Sequence, residues 1–180
     1  MTTPPVLKTA RLILRAFRLL DAPVVEKHAG IFEIADTTLN IPHPYPEGAA
    51  AEWIGSHPQD FALKKAVHFA ITLRKGEQLI GAISLMNIEK NHRKAEMGYW
   101  IAKEFWNRGY ATEAAEAMVT FGFKELNLHK IYATYFRRNP ASRRVLEKIG
   151  MQQEGILRSH IQKWDRYEDL VICGLINKKN

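Results

Sequence analysis

The period of the hydrophobic pattern changes at Gly109, and the change narrows the folds open to this chain. Before it, Val67, Phe69, Ile71 and Leu73 alternate with His68, Ala70 and Thr72, as in a strand with one face on a core. A turn at Lys75-Gly76-Glu77 leads into a second strand over Gln78 to Leu85, and Ala95 to Ile101 reads as a third. Together they predict an antiparallel meander. From Gly109 to Leu126 the spacing is helical: Ala111, Ala114, Ala115, Met118 and Phe121 line one face, and Val119, Phe123 and Leu126 widen it. A helix with so broad an apolar face is largely buried.

The flanks carry weaker signals of the same kind. Leu12, Leu14 and Phe17 suggest an opening strand, Asp21 is placed to cap a helix running to about Gly30, and a second helix is expected over Gly48 to Lys65. Pro42, Pro44 and Pro46 preclude regular helix between Asn40 and Gly48, which must be a loop. Lys130 to Phe136 predicts a strand. After it Asn139 suits an N-cap, Pro140 the first helical position and Gly150 the left-handed residue that ends a helix. The core face of that helix is expected to be Ala141, Val145, Leu146 and Ile149. Met151 to Ile176 reads as two strands around a turn near Lys163 to Arg166. The fold class is α+β.

With 180 residues, 46% hydrophobic and 25% charged, the composition is that of a soluble globular protein, expected as a single domain over residues 1–180. No stretch approaches the ~18 consecutive apolar residues of a membrane span, and Met1 to Lys8 lacks the apolar core of a signal peptide, so the expected location is cytoplasmic. A net charge of +7 admits an anionic partner. The basic residues are scattered, however, and their runs are no longer than pairs such as Lys178-Lys179, too short for a nucleic-acid surface. Cys173 lies in the apolar run Leu170 to Ile176 and reads as a buried strand thiol. His28, His43, His57, His68, His92, His129 and His160 have no paired ligand spacing, so no metal site is expected.

Chemistry concentrates in Trp106-Asn107-Arg108-Gly109-Tyr110-Ala111-Thr112-Glu113-Ala114, a short loop after a strand that opens the long helix. The first turn of a helix presents unpaired N–H groups and the positive end of the dipole, and Gly109 leaves room for an anion such as a diphosphate. The segment resembles motif A of the GNAT acetyltransferase superfamily, and Trp106 followed by Gly-Tyr-Ala-Thr-Glu-Ala resembles its ribosomal-protein-alanine N-acetyltransferase branch. Trp106 departs from the general motif, which has Gln or Arg at that place. Thr9 to Arg15, Ala95 to Ile101, Asn139 to Ser142 and Leu146 to Met151 follow in the order that branch requires, so the resemblance spans Thr9 to Leu175.

This resemblance implies a GNAT fold, a mixed and mostly antiparallel sheet of about seven strands that splays centrally, flanked by about four helices. It implies acetyl-CoA as cofactor and acetyl transfer to an amine, with a protein N-terminal α-amino group as first choice of acceptor; the alternatives are a small amine such as a polyamine, amino acid or antibiotic, or a CoA-binding regulatory protein without turnover. A ribosomal protein is among the partners it suggests; membrane and nucleic acid are not. The backbone of Tyr99, Trp100 and Ile101 would pair with the pantetheine arm, the N–H groups of Asn107, Arg108, Gly109, Tyr110, Ala111 and Thr112 would take the diphosphate, and Asn139 would bond the pantetheine. Arg108, Arg143 or Arg144 could meet the outer phosphates. Aminolysis of a thioester needs a base for the amine and a proton for the leaving thiolate. Glu96 is the expected base, with His160 as its substitute, and Ser142 the expected acid, because Leu146 stands where many GNAT enzymes carry a tyrosine. The loop Ile41 to Tyr45, with Trp164 and Tyr167, is expected either to shape the acceptor pocket or to pack the sheet edge.

Overall fold

The computed structural model describes residues 3–178, so the readings at Met1 and Lys179 fall outside it. The elements run β1 (Leu7–Lys8), β2 (Leu12–Arg15), α1 (Ala22–Ala29), α2 (Phe32–Ala35), α3 (Ala49–Ala62), β3 (Val67–Leu73), β4 (Leu79–Glu89), β5 (Lys94–Ile101), α4 (Tyr110–Lys124), β6 (Lys130–Phe136), α5 (Pro140–Lys148), β7 (Gln152–Lys163) and β8 (Arg166–Ile176). All eight strands form one sheet in the order β1-β2-β3-β4-β5-β6-β8-β7. Every pairing is antiparallel except β5 with β6, where the crossover through α4 returns the chain in the same direction.

The inner strands of the sheet are covered on both faces. Phe69, Ile83, Met97 and Ile131 pack with Met118 and Phe121 of α4 on one side. On the other, Ala70, Ala82 and Trp100 pack against Val25 of α1, Ile34 of α2 and Ile54 of α3. This corrects the expectation of a half-exposed strand at Val67–Leu73: His68, Ala70 and Thr72 are buried as well as Val67, Phe69 and Ile71.

The site depends on one discontinuity. The β5–β6 ladder holds Lys94, Ala95 and Glu96 against Lys130, Ile131 and Tyr132 and stops there. Beyond it, β5 stays bonded to β4 as far as Ile101. Ala102 donates its N–H to the Ile80 carbonyl, which fixes the alternation of the ladder. Met97, Tyr99 and Ile101 therefore turn their backbone groups away from β4, into the gap between the parted strands.

The expected counts of strands and helices each fell one short, because β1 has two residues and α2 four, too few to show a period. Three local expectations need correction. Phe17 lies beyond the end of β2 and packs its ring on Trp53 at 5.1 Å between centroids. Asp21 precedes α1 but makes no side-chain cap. Its carboxylate instead accepts from Arg15 at 2.7 and 2.9 Å and from the Arg18 N–H at 2.8 Å. Burial pushes this carboxyl up, and those bonds more than offset it, holding it below its ordinary value. Ala141 is exposed, since α5 reaches the core chiefly through Leu146. Cys173 is buried as expected, and burial raises its thiol pKa. Among the described residues, no helix is long and apolar enough to cross a membrane.

Candidate active site

Two strands part at Glu96, and the side chains around that point divide between the sheet's faces. Glu96 shares its face with Trp100, toward α1 and α3, while Met97 and Tyr99 face α4 and α5. Glu96 pairs with neither Lys94 nor Arg93. Lys94 bridges to Glu89 at 3.2 Å, and Arg93 bonds Asn127. The Glu96 carboxylate instead accepts from Asn87 Nδ2 at 3.0 Å and Thr134 Oγ1 at 2.9 Å, one donor to each oxygen. Asn87 takes a left-handed conformation, φ 51°, at an irregularity in β4 that aims its amide there. Each carboxylate oxygen keeps lone-pair capacity for a proton or a further donor.

On the opposite face, α5 delivers Ser142. Asn139 caps this helix by accepting the Ser142 N–H on Oδ1 at 3.0 Å, with Pro140 supplying the first helical residue. The Asn139 amide nitrogen lies 3.5 Å from the Thr37 carbonyl. Ser142 Oγ is 2.9 Å from the Tyr99 hydroxyl, which also reaches the Ser142 carbonyl at 3.3 Å. Burial pushes the Tyr99 phenol up to about 12, so it stays protonated across the neutral range and acts as a hydrogen-bond donor. Sequence reading assigned Tyr99 only a backbone role; nothing periodic links it to a residue 43 positions later.

The gap closes at the loop before α4. Trp106 donates its indole N–H to the Ile101 carbonyl at 2.6 Å, satisfying one of the groups that β6 leaves unpaired. Asn107 and Gly109 are both left-handed, φ 60° and 78°. Gly109 is the N-cap residue of α4, and no side chain caps that terminus. The first N–H with a partner one turn back is that of Glu113, on the Gly109 carbonyl at 3.1 Å, so those of Tyr110, Ala111 and Thr112 precede the helical ladder. The tip is exposed at Asn107, Arg108 and Gly109. Behind it, Arg11 bonds the Arg108 carbonyl at 2.9 Å and Glu113 at 2.6 Å, a connection that sequence reading missed. Its one trace there was the Thr9–Arg15 segment, noted without a role.

Of the arginines considered for the outer phosphates, Arg108 lies over the Phe105 ring, and Arg143 pairs with Glu147 at 2.7 Å. His160 is exposed on β7, the edge strand. The loop Ile41 to Tyr45 and Trp164 do come together: Phe32 of α2 contacts the rings of His43 and Trp164, and Lys163 donates to the Ile41 carbonyl at 2.9 Å. Asp36 accepts from Trp164, Arg138 and Arg166, tying that region to the β7–β8 turn. Tyr167 stands apart, exposed. Among the described residues no cluster of His, Cys, Asp and Glu could hold a metal ion.

Comparison with known proteins identifies the lineage of this geometry. Residues 11–152 match the family model described as "Acetyltransferase (GNAT) domain". The "Uncharacterized N-acetyltransferase YoaA" of Bacillus subtilis is 33% identical over 159 residues, covering 87% of this chain and 88% of the relative. The "Putative ribosomal N-acetyltransferase YdaF" of the same organism is 40% identical over 101 residues, covering 56% and 55%. Among solved structures, a RimL ribosomal L7/L12 α-N-protein acetyltransferase in complex with coenzyme A superposes with a TM-score of 0.90 over 98% of this chain and 100% of that one, at 16% identity. The chain belongs to the GNAT family of N-acetyltransferases, which take their acyl group from acetyl-CoA.

Proposed function

We propose that this enzyme acetylates the α-amino group at a protein N-terminus, a ribosomal protein being the first candidate, with Glu96 as base and Ser142 as acid. The observation that carries the reading is their placement on opposite faces of the sheet, beside the point where β5 and β6 part. An amine entering from one face and a thiol leaving toward the other each meet one proton-transfer group. The choice of a protein N-terminus draws on the names of YdaF and the RimL protein.

The residues fit coenzyme A by their chemistry. Unpaired strand groups face the gap, and an uncapped helix terminus opens beside it. Tyr99 and Ile101 would hold the pantetheine through backbone groups, with the Ile101 carbonyl already shared with Trp106, whereas Trp100, expected to join them, turns its backbone groups toward β4. Asn107 to Thr112 would take the diphosphate. Asn139 would reach the pantetheine with its amide nitrogen, since its oxygen caps α5. Acetyl-CoA, when bound, supplies the acetyl group as a thioester and is released as a thiol. Glu96 accepts a proton from the acceptor's ammonium form, directly or through water, leaving the neutral amine that attacks. Ser142 Oγ donates its proton toward the departing sulfur, and Tyr99 holds that hydroxyl by a hydrogen bond. Over one turnover the acceptor's ammonium gives up two protons, the first to Glu96 before attack and the second as the C–S bond breaks; solvent returns one to Ser142 in place of the proton it gave to sulfur, leaving a net release of one.

A thiol-release assay with peptides beginning in Ala, Ser and Met, beside spermidine and free amino acids, tests the acceptor. Peptides should give the highest kcat/KM, and a preference for spermidine would overturn the choice. For the base, an N-terminal amine has an ordinary pKa near ~8 and must be neutral to attack. Glu96→Gln should therefore lower kcat/KM most near neutral pH and recover part of the loss as pH rises through that value. A loss constant with pH would recast Glu96 as a positioning residue.

A further inference from the structure

Glu113 stands one turn into α4, where a free carboxylate is drawn to the N–H groups of its own helix terminus. Those are the groups that the proposed cofactor reading gives to the diphosphate, and the inference rests on that reading. The carboxylate is turned away from them. Its Oε1 accepts from Thr9 Oγ1 at 2.6 Å and from the Arg11 N–H at 2.8 Å, and its Oε2 accepts from Arg11 Nε at 2.6 Å. Burial would raise its pKa, yet these donors hold it below its ordinary value, so it is ionised at neutral pH. Arg11 touches the rest of the loop as well. Nη1 donates to the Arg108 carbonyl at 2.9 Å, the guanidinium covers the Tyr110 ring at 4.6 Å, and Nη2 would lie 3.4 Å from a Cβ added at Gly109.

We infer that Arg11 and Thr9 hold the Glu113 carboxylate off the diphosphate site, which makes Arg11 a positioning residue for cofactor binding. The β1–β2 turn thus does two things to a loop about a hundred residues away. It fixes the loop's backbone and neutralises the acidic residue of the first turn of α4. Without Arg11, a charged Glu113 is free to swing toward those groups and to repel phosphate. Without Glu113, Arg11 keeps its bond to the Arg108 carbonyl but has no carboxylate left to hold off the site.

Calorimetric titration of coenzyme A into the full chain tests this with Arg11→Gln, Glu113→Gln and the double variant, each first checked by thermal melting without ligand. Arg11→Gln should weaken binding about tenfold, a scale set by one partly buried charge at a helix terminus. Glu113→Gln alone should change it by less than about threefold, and adding Glu113→Gln to Arg11→Gln should restore it to within about threefold of wild type. The rescue is the signature, because a merely structural Arg11 would leave the double variant as weak as the single one. Unchanged affinity in Arg11→Gln, or a loss that Glu113→Gln does not relieve, overturns the inference. If Arg11→Gln fails to fold, Arg11→Lys serves in its place, since it keeps the charge but loses the fork that spans Glu113 and Arg108. Pantetheine, which carries no phosphate, separates the two levels of argument. It should bind wild type and variants alike, and a wild type that does not prefer coenzyme A to pantetheine would remove the diphosphate reading itself.

Discussion

Helices α4 and α5 begin in opposite ways although both start beside the same gap. α5 is closed: Asn139 accepts the Ser142 N–H, and Pro140 has no N–H to satisfy. α4 is open, starting from a left-handed glycine with no side-chain cap, and the acidic residue of its first turn, Glu113, is held elsewhere. Buried or half-buried N–H groups are rarely left without partners, so an open terminus marks a place for a ligand, whereas a closed one serves to hold its own residues still. On the proposed reading, the contrast gives anion binding to α4 and the placement of a reactive hydroxyl to α5.

The largest effect should come from the closed terminus. Ser142→Ala should lower kcat by on the order of 10²-fold while coenzyme A affinity stays near wild type, because a proton donor to sulfur acts in the transition state. Steady-state turnover and calorimetry on the same preparation separate the two quantities. Full turnover in the variant would reduce Ser142 to a residue of the helix cap. At the open terminus the pattern should invert. Gly109→Val puts a branched side chain at φ 78°, beside the proposed diphosphate, and should cost about tenfold or more in coenzyme A affinity. In folded protein, unchanged affinity would break the comparison.

A smaller effect tests whether Asn139 belongs to the cap alone. Asn139→Ala should destabilise the protein by about 1 kcal/mol, the usual worth of an N-cap, as read from urea unfolding. If its amide nitrogen also holds the pantetheine, coenzyme A affinity should fall as well; if that nitrogen serves only Thr37, affinity stays put.

The sequence made one terminus more legible than the other. Asn-Pro before a helix and Gly after it carry their own stereochemistry, and the observed cap, Pro140 and left-handed Gly150 follow from it. Strand periods likewise gave β3 and β6 at their observed bounds. Gly109 was readable as a turn before a helix, but what keeps its terminus open was not. The bonds from Thr9 and Arg11 to Glu113 cross more than a hundred residues and leave no periodic trace. The same holds for Tyr99 with Ser142, and for Asn87 and Thr134 with Glu96. Single polar contacts between distant strands and helices obey no repeat. Hydrophobic period therefore located the elements, while the polar contacts that define the site emerged only from their packing.

The two termini should also answer differently to acid. The α4 side is held by a carboxylate whose folded pKa lies below its ordinary value, so the unfolded chain binds its proton first as pH falls. Stability from the Thr9–Arg11–Glu113 contacts is thus fully present above the ordinary glutamate range, declines through it, and is gone once pH passes below the folded value. The α5 cap is a neutral amide and does not titrate. Glu113→Gln should accordingly be less stable than wild type at neutral pH, with the difference closing as pH falls through and below the ordinary glutamate range, while the Asn139→Ala deficit stays constant over the same range. Urea unfolding of the three proteins at several pH values measures both. If the Glu113→Gln deficit does not shrink in acid, the carboxylate contributes through shape rather than charge, and the electrostatic half of the contrast between the termini fails.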